Sequence, residues 1–115
     1  MTTRERRYDF LADCPTRIGV DLLSNTWTVV VLHALRDGPR RPRHLLTDIG
    51  GITPKVLNET LRRLTRQRLV SRHPVAEAPP RVDYRLTDLG RSLLGPVDAL
   101  AAWVHDHAHE LAPDG

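Results

Sequence analysis

At 115 residues the chain has the size of one domain, and so short a chain buries little by itself, so a second copy is expected to help complete its core. A content of 40% hydrophobic and 27% charged residues excludes global disorder, and a single cysteine excludes both an intramolecular disulfide and a cysteine-built zinc site within one chain. The net charge of +3 is unevenly spread, because ten basic residues between Arg36 and His73 oppose only three acidic ones, a local +7 against −4 elsewhere.

A basic middle between acidic ends suits a surface turned toward a polyanion, although arginine richness can also be only a solvated face. No apolar run approaches the roughly 20 residues that span a bilayer. The opening MTTRERRYDF is charged with no apolar stretch after it, so no secretory signal is expected and a soluble, cytoplasmic protein is.

In chain order, residues 1–13 read as a polar N-terminal arm with Tyr8, Phe10 and Leu11 as anchors. Pro15 opens a helix in which Ile18, Leu22 and Leu23 recur at helical spacing through Ser24. A second helix is predicted over 26–36 on Trp27, Val30, Val31, Ala34 and Leu35, stopped by Asp37-Gly38-Pro39. A short third helix over 41–49 ends at Gly50-Gly51.

Ile52-Thr53-Pro54 then supplies a staple residue, an N-cap and a first-turn proline, the start signals of a helix over 53–67. At 100° per residue, Leu57, Leu61, Leu64 and Arg68 share one side of it. Lys55, Glu59, Arg62 and Arg66 lie opposite, flanked by Asn58 and Arg63. The period then changes: residues 70–75 and 81–87 read as two strands around Ala76-Glu77-Ala78-Pro79-Pro80, with Pro74 favouring an edge position. In the second strand Val82, Tyr84 and Leu86 share one face and Arg81, Asp83 and Arg85 the other.

A last helix starts at Thr87, with Gly95-Pro96 expected to bend it. Its stripe of Leu89, Leu93, Val97, Leu100, Ala101, Val104 and Leu111 is too long for so small a body to cover, so a second subunit is expected on it. Residues 112–115 read as a disordered tail after a single domain over 14–111.

The fold class is therefore mainly α with a small β-hairpin (α+β), in the order of a winged helix-turn-helix whose N- and C-terminal helices form a dimer interface. Helix 41–49 would support, helix 53–67 would enter a major groove, and the hairpin would be the wing. The residues expected to touch double-stranded DNA are Arg41, Arg43, Thr53, Pro54, Lys55, Asn58, Arg62 and Arg63, with Arg81 and Arg85 from the wing. Those expected at the dimer interface are Phe10, Leu11, Leu93, Val97, Leu100, Ala101 and Val104.

The chain resembles the HxlR-type winged-helix regulators, relatives of the MarR group. The resemblance lies in Asp13-Cys14-Pro15, Trp27-Thr28-Val29-Val30-Val31-Leu32, Leu35-Arg36-Asp37-Gly38-Pro39 and Gly51-Ile52-Thr53-Pro54-Lys55-Val56-Leu57. It continues through Leu61-Arg62-Arg63-Leu64, Pro79-Pro80-Arg81-Val82-Asp83-Tyr84-Arg85-Leu86-Thr87 and Leu89-Gly90-Arg91-Ser92-Leu93. It implies a homodimeric transcription regulator, often a repressor, binding an operator. The chain departs from the family at Arg41-Pro42-Arg43-His44, where an aromatic is usual, and at Asn25-Thr26, where Gly-Lys is usual.

The same resemblance nominates Cys14 as a redox or electrophile switch, with a small oxidant, electrophile or ligand as effector. Independently, a thiol just before a helix N-terminus with Arg17 one turn on would have its thiolate favoured; the other reading is a small buried apolar side chain. His105 and His109 have the i, i+4 spacing of metal ligands, with Glu110 nearby, but such a helix end reads more simply as a solvated terminus, and no metal or cofactor is expected. An enzyme is not expected either, since the chain has no glycine-rich phosphate loop, no paired acidic constellation and no cofactor signature. Two rival readings are a small-ligand-responsive regulator with a structural Cys14 and a winged-helix module that binds protein.

Overall fold

The computed structural model describes residues 15–111, so the arm over 1–13, Cys14 and the tail over 112–115 lie outside the described residues. The elements run α1 (Pro15–Ser24), α2 (Thr26–Ala34), α3 (Pro42–Ile49), α4 (Pro54–Arg66), β1 (Val70–Val75), β2 (Arg81–Leu86), α5 (Asp88–Ser92) and α6 (Leu94–His107). This is the expected helical order with one antiparallel hairpin. None of the described helices is long and apolar enough to cross a membrane.

Local chemistry sets the helix starts. Asn25 caps α2 by accepting from the Thr28 N–H at 3.1 Å, a role for a residue at which the chain departs from the family it resembles. Thr53 does the same for α4, accepting from the Val56 N–H at 3.1 Å with Pro54 in the first turn. Between α3 and α4 the chain turns on Gly50 and Gly51, at φ 69° and 73°, a region that side chains with a Cβ avoid.

The core gathers Val31, Leu32 and Leu35 at the end of α2, Leu45 of α3, and Leu57, Leu61 and Leu64 of α4. Leu69, Val70 and Leu86 close it from the hairpin, and Leu94 from α6. Arg68 does not continue the inward stripe of α4, contrary to the helical-wheel expectation, because the helix has already ended. It sits at φ 63°, with its N–H on the Thr65 carbonyl and the Leu69 N–H on the Leu64 carbonyl, both at 3.0 Å. That pair of bonds closes a Schellman turn with arginine where glycine is usual, and it delivers Leu69 rather than Arg68 to the core.

In the hairpin Val70 pairs with Leu86, Arg72 with Tyr84 and Pro74 with Val82, so these six side chains share one face. Tyr84 also exchanges backbone hydrogen bonds with Arg40 at 2.8 and 2.9 Å on its other side. This leaves β1 as an edge, as Pro74 requires.

The last helix is two helices, broken at Leu93 instead of bent at Gly95-Pro96. Pro96 is the cause at one remove, because a proline ring crowds the carbonyl four residues earlier and offers it no N–H. Thr87 caps α5 through the Gly90 N–H at 3.0 Å, and its own hydroxyl donates to the Arg68 carbonyl at 2.7 Å. Gly90 lies directly against the Leu69 backbone, where a Cβ would overlap the carbonyl oxygen. From the other side, Arg36 holds α6 by a 2.6 Å ion pair to Asp98. The hydrogen bond from Arg36 keeps the Asp98 carboxyl below its ordinary range and raises the guanidinium in turn.

Candidate nucleic-acid interface

The chemistry of α4 follows from its two sides. Leu57, Thr60, Leu61 and Leu64 are buried, and the Thr60 hydroxyl donates back to the Val56 carbonyl at 2.8 Å, so this side is satisfied without solvent. Thr53, Pro54, Lys55, Asn58, Glu59, Arg62 and Arg66 are exposed. Cations and an amide on one outward surface, carried on a capped helix, can meet phosphates and base edges together.

Arg63 departs from the expected set. It is half-buried, and its Nη2 donates to Thr28 Oγ1 at 2.9 Å, so it ties α4 to α2 instead of facing outward. At 100° per residue it flanks the polar side, and the nearby Thr28 hydroxyl is enough to draw it inward. Arg41 is the half-buried N-cap residue of α3 with Nη2 3.4 Å from His44 Nε2, whereas Arg43 is exposed.

The wing departs further. Arg81, expected on phosphates, is held by Glu77 Oε2 at 3.0 Å and by Asp83 Oδ1 at 3.4 Å, so its charge is matched from within the hairpin. Arg85 is exposed on the same face of the hairpin as Arg81, across from Ser71 in the register. Arg72 was absent from the expected set, yet the register puts it beside Tyr84 on the face turned to α4. An open cleft of about 300 Å³ between helix and wing is lined by Asn58, Arg62, Thr65, Arg66, Arg72 and Tyr84. The missing signal was the orientation of β1, which Leu69 and Val70, both apolar and adjacent, leave ambiguous in the sequence.

The residues expected to bind a second subunit also divide. Val97 is only 6% exposed within its own chain, and Leu93 is half-buried against the core, so both hold α6 onto this fold. Leu100, Ala101 and Val104 are exposed beside an apolar groove of about 550 Å³ that runs on to Leu23 and Val29. Phe10, Leu11 and Cys14 lie outside the described residues. Among the histidines, His107 donates from Nδ1 to the Trp103 carbonyl at 2.8 Å and stacks on the Trp103 ring with centroids 4.5 Å apart. No group of three residues able to hold a metal occurs among the described residues.

Comparison with known proteins places this geometry. The family model described as HxlR-like helix-turn-helix matches residues 22–112. The HTH-type transcriptional regulator YtfH of Escherichia coli (strain K12) is 36% identical over 95 residues, covering 83% of this chain and 75% of that one. Among solved structures, the transcriptional regulator ytfH from Salmonella typhimurium superposes with a TM-score of 0.74 at 34% identity, covering 88% of this chain and 90% of that one. The reduced form of the transcriptional regulator YodB from B. subtilis superposes with a TM-score of 0.77 at 30% identity, covering 86% and 98%. The same YodB has also been solved after diamide treatment. These relatives are regulators and not enzymes, as the missing catalytic signatures led one to expect.

Proposed function

The chain belongs to the HxlR-like helix-turn-helix family of transcriptional regulators, and from that premise we propose that it works in the cytoplasm as a homodimer on an inverted-repeat operator, as a repressor. The observation that carries this reading is the outward side of α4. Its exposed Lys55, Asn58 and Arg62 are backed by a fully buried leucine row, so the helix is fixed while that side stays open to a groove about 12 Å wide. Two such helices related by a twofold axis would enter successive major grooves about 34 Å apart. Lys55 and Arg62 then hold phosphates, and Asn58 reads a base edge.

The same reading gives Cys14 the role of switch, because the similar YodB has been solved in a reduced and a diamide-treated form. With one cysteine per chain, diamide would take the two thiol hydrogens and join Cys14 of each subunit in a disulfide, or join Cys14 to a small thiol.

One experiment tests both parts. Bound duplexes are selected from a random pool by the wild type, Asn58→Ala and Cys14→Ser, each with and without diamide. The wild type is expected to enrich an inverted repeat, and Asn58→Ala to lose discrimination at one base pair per half-site, on the order of 1–3 kcal/mol. Diamide should abolish enrichment by the wild type and spare Cys14→Ser. Equal loss in both would remove the switch, and absence of any enriched sequence would remove the operator.

A further inference from the structure

We propose that the wing of this protein grips the duplex at its root and not at its tip: Arg72 of β1, together with Arg62 and Arg66 of α4 and Tyr84 of β2, forms a seat for a backbone phosphate of the bound DNA. The inference rests on the DNA-binding reading above and adds to it the part of the wing that carries contact.

The arginines of the described residues are unequally partnered. Arg36 meets Asp98 at 2.6 Å, Arg40 meets Asp48 at 3.4 Å, and Arg81 meets Glu77 and Asp83 at 3.0 and 3.4 Å. Arg63 is spent on Thr28, and Arg91 donates to the Arg36 carbonyl at 3.1 Å. Arg62, Arg66 and Arg72 meet no carboxylate among the described residues, and all three line one cleft. Arg43, Arg68 and Arg85 also have no carboxylate partner among the described residues, but they do not line it.

Two elements bring the three arginines to the lining of one cleft. Arg62 and Arg66, four residues apart, stand one above the other on α4. The β1–β2 register sets Arg72 next to Tyr84 across from them, at the point where the apolar face of the hairpin gives way to solvent. Like charges converging on one opening repel each other, and an anion held between them is correspondingly favoured. The Tyr84 ring is half-buried, and the phenol adds a donor. The tip is the reverse. Glu77 and Asp83 outweigh Arg81 there, and the remaining residues over 76–83 are Ala76, Ala78, Pro79, Pro80 and Val82, so the tip offers no net positive charge to the negative potential of a minor groove.

The test is the salt dependence of duplex binding by the wild type, Arg72→Gln, Arg66→Gln and Arg81→Gln, each checked for an unchanged thermal transition. Arg72→Gln and Arg66→Gln should each flatten the slope of log affinity against log salt by about 0.9, the value of one phosphate contact. Between roughly 50 and 200 mM salt, each would therefore lose about three- to fourfold less affinity than the wild type. Their sequence preference should be unchanged, since phosphates carry no base identity. Arg81→Gln should match the wild type. A slope flattened by Arg81→Gln would return the grip to the tip, and wild-type slopes for both Arg72→Gln and Arg66→Gln would empty the seat while leaving DNA binding intact. A wild type with no salt dependence would overturn the seat together with the reading beneath it.

Discussion

Leu100→Glu is expected to leave a folded monomer that binds operator DNA roughly 10²–10⁴-fold more weakly than the wild type. Leu100 is 49% exposed on α6, with Val104 at 41% and Trp103 at 50%, more apolar surface than one helix of a small chain ordinarily offers to water. A carboxylate there stays solvated in the monomer, but it would be buried without a partner if two copies met on this face. Once the dimer is lost, each half-site is bound independently, and the gain from linking two binding events disappears without any DNA contact being changed. Sedimentation of the variant and titration of the operator read the two halves of this expectation. A Leu100→Glu protein that remains dimeric would take this face of α6 out of the interface. Val97→Glu cannot substitute for it, because Val97 is buried in its own chain and a charge there would unfold the fold itself.

Gly90→Ala should destabilise the fold by about 1–3 kcal/mol, toward the upper end of that range, because a Cβ at this position meets backbone. The atom it would overlap is the Leu69 carbonyl oxygen, which also accepts the Thr87 N–H at 3.1 Å. A side chain could swing aside, whereas this oxygen is fixed by the Schellman turn on one side and the α5 cap on the other. Moving α5 away breaks the cap and lifts Leu94 from the core. Calorimetry should show a melting temperature lower by on the order of 10 °C, given roughly 4–8 °C per kcal/mol for a domain of this size. A melting temperature within about 2 °C of the wild type would mean that the close approach carries no weight.

Much of this architecture is legible in the sequence because its punctuation is local. Thr53-Pro54, Gly50-Gly51, Thr87-Asp88 and the proline-stiffened hairpin tip each depend on neighbours in the chain, and each stands where its chemistry puts it. What the sequence hides depends on partners far along the chain. Arg63 looks like another outward cation until Thr28, on α2, accepts its hydrogen bond. Arg81 looks like a phosphate ligand until the hairpin brings Glu77 and Asp83 around it. Arg72 is unremarkable until the register with Tyr84 turns it toward α4. Val97 belongs to the same apolar stripe as Leu100, and only packing against its own fold separates them. The break at Leu93 was legible in kind but not in place, because a proline disturbs the turn before it.

The central claim, that the outward side of α4 lies in a major groove with a twin one helical turn away, is tested most directly by methylation interference on a selected operator. Guanine N7 is exposed in the major groove, so methyl groups there should block binding in two patches about 10 base pairs apart on one face of the duplex. A protein that binds the same operator unimpeded by N7 methylation, or is blocked only at adenine N3 in the minor groove, would contradict it.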